Sequence, residues 1–389
     1  MEHTTKHHYL SGKRVLPQPI TAKSTIESVV DNMDAYNGGR LRAACQLMRD
    51  KYSKEDVTIG LSIAGALIPA GLGPSTIIPL MNHGYVDWMV STGANMYHDL
   101  HFAFNMPLYR GSHTVDDADL RAKGVTRIYD ILFDYEDVLM ATDRVLRRIM
   151  LRPEFQKQMG TREYYYLLGK VVNEYEQQHQ LGEVSVLAAA YRNGIPVFTS
   201  SPGDSTIGMN VAGLELLAEA AGLKDHFRLE INPSIDVNDS TAIILNAKNY
   251  EHGKTGVLLI GGGSPKNFLL QTEPQIQEVL MIPEAGQDYD INITDARPDT
   301  GGLSGAPPSE AVSWGKIDPT KLEETVTAYV DVTVAFPMLA AYVIQTTKAK
   351  KLKRLYDRGE ELRQKLVKSF LENNKEVDEL KSIMLKLRK

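Results

Sequence analysis

Residues 57–86 contain no Asp, Glu, Lys or Arg, and a run of that length could cross a bilayer as one helix. Its interior forbids that. Gly60, Gly65, Gly71 and Gly73, with Pro69, Pro74 and Pro79, divide it into a strand, a turn and a short helix. An uncharged strand is the mark of a parallel sheet covered on both faces. Further strands are expected at Val86–Val90, Val197–Ser200, Phe227–Ile231, Gly256–Ile260 and Thr325–Val334, after a first at Val57–Ile63. Helical patterns separate them at 24–51, 161–178, 208–221 and 267–281. The first opens on a capping-box pattern, Ser24 to Glu27. The predicted fold is α/β: a Rossmann-like parallel sheet flanked by helices, with a C-terminal helical extension.

A hydrophobic content of 43% over 389 residues is ample for a large core. The formal charge of -6 argues against nucleic-acid binding, because no excess of cations is available to neutralise phosphates. Small cationic amines suit it better. Cys45 is the only cysteine, which removes intrachain disulfides and thiolate zinc cages, and no metal site is expected. The first residues lack a secretory pattern, so a cytoplasmic location and no membrane partner are expected. Residues 1–23, with His3, His7 and His8, read as an extended arm. Residues 346–389 read as a basic amphipathic tail whose apolar stripe, including Leu355, Leu362, Leu366 and Phe370, is expected to dock on a neighbouring subunit.

The segment Ser309-Glu310-Ala311-Val312-Ser313-Trp314-Gly315-Lys316 puts an amine beside an aromatic wall and one carboxylate. A partly desolvated lysine loses its proton more readily and can attack an imine or carbonyl carbon. A solvated surface loop has the same spacing. The segment closely resembles the active-site segment of deoxyhypusine synthases, in which the final lysine carries the covalent intermediate. The likeness continues in order through Tyr85-Val86-Asp87, Ser91-Thr92-Gly93, Ile195–Phe198, Gly203-Asp204, Leu258–Gly263 with Lys266, Tyr329-Val330-Asp331 and Phe336-Pro337. The resemblance implies one catalytic domain over 24–345, a homotetramer, and NAD bound by Thr92, Gly93, Asp204, Gly261, Gly262, Gly263, Ala296 and Asp331. It also implies Lys316 as the catalytic residue, with Glu310 holding an ammonium group and Trp314 walling an alkyl chain.

Neither GxGxxG nor a P-loop occurs, so glycines 261–263, closing a strand, are the one candidate for close phosphate approach. The polyamine pocket departs from the family. Met209, Asn267 and Leu303 stand where the family carries an acid, a histidine and an acid. His98 and Asp295 are the residues expected to replace them in binding substrate. The function expected is an NAD-dependent alkyl transferase, moving an aminobutyl-type group from a polyamine-like donor through a lysine Schiff base. Small acceptor amines, as in homospermidine synthesis, are expected rather than a translation-factor lysine. The alternatives are a non-catalytic NAD-binding scaffold, a plain amine dehydrogenase, or an authentic deoxyhypusine synthase.

Overall fold

The computed structural model describes residues 10–387; His3, His7 and His8 lie outside them. Its centre is a six-stranded parallel sheet of β1 (Val57–Ile63), β2 (Trp88–Ser91), β3 (Val197–Thr199), β4 (Lys254–Ile260), β5 (Tyr289–Thr294) and β6 (Thr325–Tyr329). The spatial order is β6-β5-β4-β1-β2-β3, the order of doubly wound dinucleotide-binding sheets, with helices on the faces. The uncharged run behaves as its composition requires. All seven residues of β1 are buried, and Gly60 admits the Trp88 indole so closely that a Cβ there would lie 2.8 Å from it. After β1 the chain makes short helical turns at Ile68–Ala70 and Gly73–Ile77, then the helix Ile78–Asn82. Among the described residues no helix is long and apolar enough to cross a membrane.

Several elements differ from expectation. The strand expected from Phe227 to Ile231 contributes only Glu230–Ile231, paired with Gln158–Met159 outside the main sheet. That expected from Thr325 to Val334 stops at Tyr329, because the Asp331 carboxylate accepts from Thr333 N–H and starts the helix Val332–Thr346. The first helical region breaks into Ile26–Asp31 and Tyr36–Leu47. Its capping box is Thr25 with Ser28, one residue later than the expected Ser24–Glu27 pair. The pattern over 267–281 begins earlier, as the helix Gly263–Leu270, and continues in short helical segments at Thr272–Pro274 and Gln275–Val279. A three-stranded antiparallel sheet within 109–134 adds to the expected elements.

Strand β5 escapes the sequence pattern because Asp290, Asn292 and Thr294 alternate with Ile291 and Ile293, and polar residues dilute the apolar run that marks the other strands. Both faces of β5 are nevertheless buried after Tyr289. Tail residues Leu355, Leu362 and Leu366 pack in one cluster with Val257 and Leu259 of β4, so this part of the stripe is covered by its own chain rather than by a neighbour. The Arg363 guanidinium fixes the helix Gly359–Asn373 to Asp239 at 2.9 Å. The next helix, Val377–Lys386, buries none of its side chains.

Candidate active site at the C-terminal edge of the sheet

Parallel sheets of this order bind ligands beyond the carboxyl ends of their strands, where the strand order reverses. Here the reversal lies between β1 and β4. Ala64 N–H donates to the Ile260 carbonyl across it at 3.0 Å, and Gly261 (φ +83°) passes so close that a Cβ would meet the Ala64 methyl at 3.1 Å. On the two sides stand Gly65 (φ +66°) and Gly263 (φ +65°), each left-handed and each with open space where a side chain would project. The loops beyond β3 and β4 meet at a Ser264–Ser200 hydroxyl contact of 2.9 Å. Thr92 caps the helix Gly93–Ala103 and donates to the Gly65 carbonyl at 2.6 Å. Gly93 lies against Ser205, which a Cβ would strike at 2.4 Å.

The residues expected to bind a dinucleotide therefore share one edge. Thr92 and Gly93 follow β2, Asp204 follows β3, Gly261, Gly262 and Gly263 follow β4, Ala296 follows β5, and Asp331 follows β6. Asp204 is exposed, and exposed Asp331 is the helix cap noted above. The open ground over Gly65 and Gly263, with the N-terminal turn of Gly263–Leu270 beside it, fits a phosphate-bearing cofactor.

Adjoining this edge is a cavity of about 320 Å³ whose lining includes Lys266, Asn267, Asp290, Asn292, Leu303, Glu310, Trp314 and Lys316. Lys316 is half-buried; its Nζ donates to Asn267 Oδ1 at 3.0 Å and lies 5.7 Å from the Trp314 ring centroid. Burial lowers the Lys316 pKa from its ordinary value, while Glu310 and Glu278 oppose the shift. The Lys316 backbone is set from below: Gln287 N–H donates to the Lys316 carbonyl at 3.0 Å, and the Gln277 amide donates to the Gly315 carbonyl at 2.8 Å. Gly315 has φ +66°, with Gln277 Oε1 at 2.3 Å from any Cβ, so only glycine fits that turn.

Asn267 can accept from an ammonium but cannot take up a proton as a histidine can. Lys266 is the other cavity lysine. It is 5% exposed, donates to the Ala306 carbonyl at 2.8 Å, and has its pKa lowered chiefly by burial. Asp290 is wholly buried, and desolvation raises its carboxyl to about 7 against a partial offset from Lys266. Sequence reasoning places neither Asp290 nor Asn292 in the site. Two polar residues at a spacing of two between isoleucines are the one signal the chain offers for them.

His98 and Asp295 do not line the cavity. Helical spacing puts His98 and His101 on one face, where His98 Nδ1 meets His101 Nε2 at 3.0 Å and His101 Nδ1 meets Thr142 Oγ1 at 3.0 Å. Phe133 packs on both rings, and burial depresses His98 to about 4. Asp99 is buried as the acceptor for Ser185, Val186 and Leu187 at the start of the helix Val186–Asn193. Asp295 is exposed on the loop after β5. Among the described residues no cluster of three or more His, Cys, Asp or Glu side chains is arranged to hold a metal.

Gly262 joins the two halves of the site, because a Cβ there would lie 2.2 Å from Ser304 Cα. Gly262→Ala is expected to cost about 1–3 kcal/mol and to push residues 303–306 away from the cavity. A chemical denaturation series checks the first outcome, and a wild-type midpoint would contradict it.

The family description "Deoxyhypusine synthase" matches residues 26–343. A "Deoxyhypusine synthase-like protein" of Nostoc sp. is 50% identical over 361 residues, covering 92% of each chain. A "Probable deoxyhypusine synthase 2" of Methanosarcina acetivorans is 34% identical over 341 residues, covering 86% of this chain and 90% of that one. In three dimensions, a crystal structure assigned to the deoxyhypusine synthases, from Entamoeba histolytica, superposes with a TM-score of 0.51 at 15% identity, covering 87% of this chain and 99% of that one. At that identity it speaks for the α/β fold alone. Motif order, the parallel sheet and these matches agree that the chain belongs to the deoxyhypusine synthase family, a family of transferases.

Proposed function

We propose that the protein is an NAD-dependent transferase that moves an alkylamine group, of the aminobutyl type, between amines through Lys316. The observation that carries this reading is a half-buried lysine of lowered pKa, held by Asn267 beside Trp314, in a cavity adjoining the glycine edge of a doubly wound sheet. NAD, when bound, supplies acceptance and return of a hydride, so the transfer involves no net oxidation. Gly65, Gly263 and the N-terminal turn after β4 would receive its phosphates, with Asp204 and Asp331 available to ribose hydroxyls.

Neutral Lys316 adds to the imine carbon of the oxidised donor. As the old C–N bond breaks, the two lysine protons pass to the departing nitrogen, which leaves as an amine, and a lysine imine remains. An acceptor amine repeats the exchange and frees Lys316. Trp314 lies along the alkyl chain, and Glu310 pairs with an ammonium at the exposed side. The acceptor is a small amine, because Asn267 and Leu303, which line the cavity, stand where the family carries a histidine and an acid. Met209, expected with them, is exposed on the helix Thr206–Ala220 and does not line it. Exposed Leu303 and Trp314 at the cavity mouth are apolar surface that a second copy of the chain would cover, in keeping with a homotetramer.

The test is an amine screen with catalytic NAD and mass detection of products. Transfer with no accumulation of NADH is expected; stoichiometric NADH would make the protein a dehydrogenase, and absence of both would leave a scaffold. Asp204→Ala is expected to weaken NAD binding several-fold by calorimetry, and an unchanged affinity would remove Asp204 from the site. Deoxyhypusine formation from spermidine as fast as the best small-amine reaction would overturn the choice of acceptor.

A further inference from the structure

The floor of the cavity carries polar groups that the exchange at Lys316 does not use. Asp290 and Asn292 point from the same face of β5 and are 2% and 1% exposed. Asp290 Oδ1 and both amide atoms of Asn292 have no hydrogen-bond partner within the protein. Leaving such groups unpaired is costly, so a ligand that supplies hydrogen bonds there gains what the empty floor lacks. The charged groups of the cavity do not supply them. Lys266 donates to the Ala306 carbonyl and, though its charge partly offsets the burial of Asp290, makes no hydrogen bond to it; Lys316 is held by Asn267, and Glu310 is exposed.

We infer that Asp290, with Asn292 beside it, is the inner anchor for the cationic end of a linear aliphatic amine. The inference rests on the reading of this cavity as an amine site and names one end of its substrate. An ammonium offers three N–H donors, enough for Asp290 Oδ1 and the Asn292 carbonyl together. Glu310 on the exposed side and Asp290 on the buried side give the cavity two carboxylates, which suits a diamine better than a monoamine. Asp290 thus takes over a recognition task for which His98 and Asp295 are misplaced. Because burial raises its carboxyl to about 7, cation binding draws a proton off it, and affinity rises with pH across neutrality.

Calorimetry of the full-length protein with 1,4-diaminobutane and with n-butylamine, at pH 6 and pH 8, tests this. Wild type is expected to prefer the diamine and to bind it more tightly at pH 8. Asp290→Asn, nearly isosteric, is expected to lose at least about tenfold in diamine affinity at pH 8 and to lose the pH dependence. Asn292→Ala weakens binding in the same direction and serves as the second variant. Equal affinity and equal pH dependence in a folded Asp290→Asn protein would overturn the inference, as would a wild type that binds neither amine. Borohydride trapping separates it from the transferase reading. Diamine binding through Asp290 without any Lys316 adduct would sink the transferase and leave the anchor standing; an adduct indifferent to Asp290 would do the reverse.

Discussion

Lys316→Ala is expected to lower group transfer by at least about a thousandfold, as removal of a covalent nucleophile does in other enzymes. Borohydride added during turnover should attach an alkylamine to Lys316 in the wild type and to nothing in the variant. Lys316→Arg should fail equally, because a guanidinium stays protonated and cannot attack. Lys266 is the internal control, since it lines the same cavity and also has a lowered pKa. An adduct on Lys266 would move the chemistry to the wrong lysine and refute the assignment. The pH dependence has a definite sign: attack needs the neutral amine, so the capture rate rises with pH through the lowered pKa of Lys316 and then levels.

Asp290→Asn should change how stability depends on pH in the ligand-free protein. Burial raises the folded-state pKa of Asp290 from 3.8 to about 7, so between those values the folded chain holds a proton that the unfolded chain has released. Stability from this group is therefore fully present below the unfolded pKa and is lost as pH rises through the folded one. The loss amounts to roughly 4 kcal/mol across the window. Asparagine cannot ionise, so the variant should gain on the wild type by several degrees in melting temperature between pH 5 and pH 8. Parallel melting curves over that range would show that Asp290 does not titrate there. Saturating 1,4-diaminobutane should narrow the gap by stabilising the ionised wild type.

Much of this architecture is legible in the chain. Residues 57–86 lack charge and are broken by glycine and proline, which leaves little but the interior of a parallel sheet for β1. Gly261–Gly263, ending an apolar run, mark a strand-to-helix turn by residue type alone. The failures have a common cause. Strand β5 is hard to see because its Asp290 and Asn292 look like a solvent face, yet that face is a cavity floor. His98 stands beside an acid in sequence and so suggests a substrate contact, but helical spacing turns it to His101 and Asp99 to the start of the helix Val186–Asn193. The tail stripe suggests a neighbouring subunit because nothing in a local pattern says which apolar surface will meet it.

Residue types, their periodicity and the order of motifs thus determined the α/β class and the family, and singled out Lys316 with its Trp314 and Glu310 neighbours as the candidate site, since each depends on nearby residues in the chain. Tertiary structure decided which distant segments meet. It set the strand order β6-β5-β4-β1-β2-β3, and so put the reversal point between Gly65 and Gly263. It brought Asn267 onto Lys316 from 49 residues away and left Asp290 Oδ1 without a hydrogen-bond partner in the same cavity. Burial and pairing across the fold govern these outcomes, because the cost of an orphaned carboxylate depends on the space that other segments leave around it.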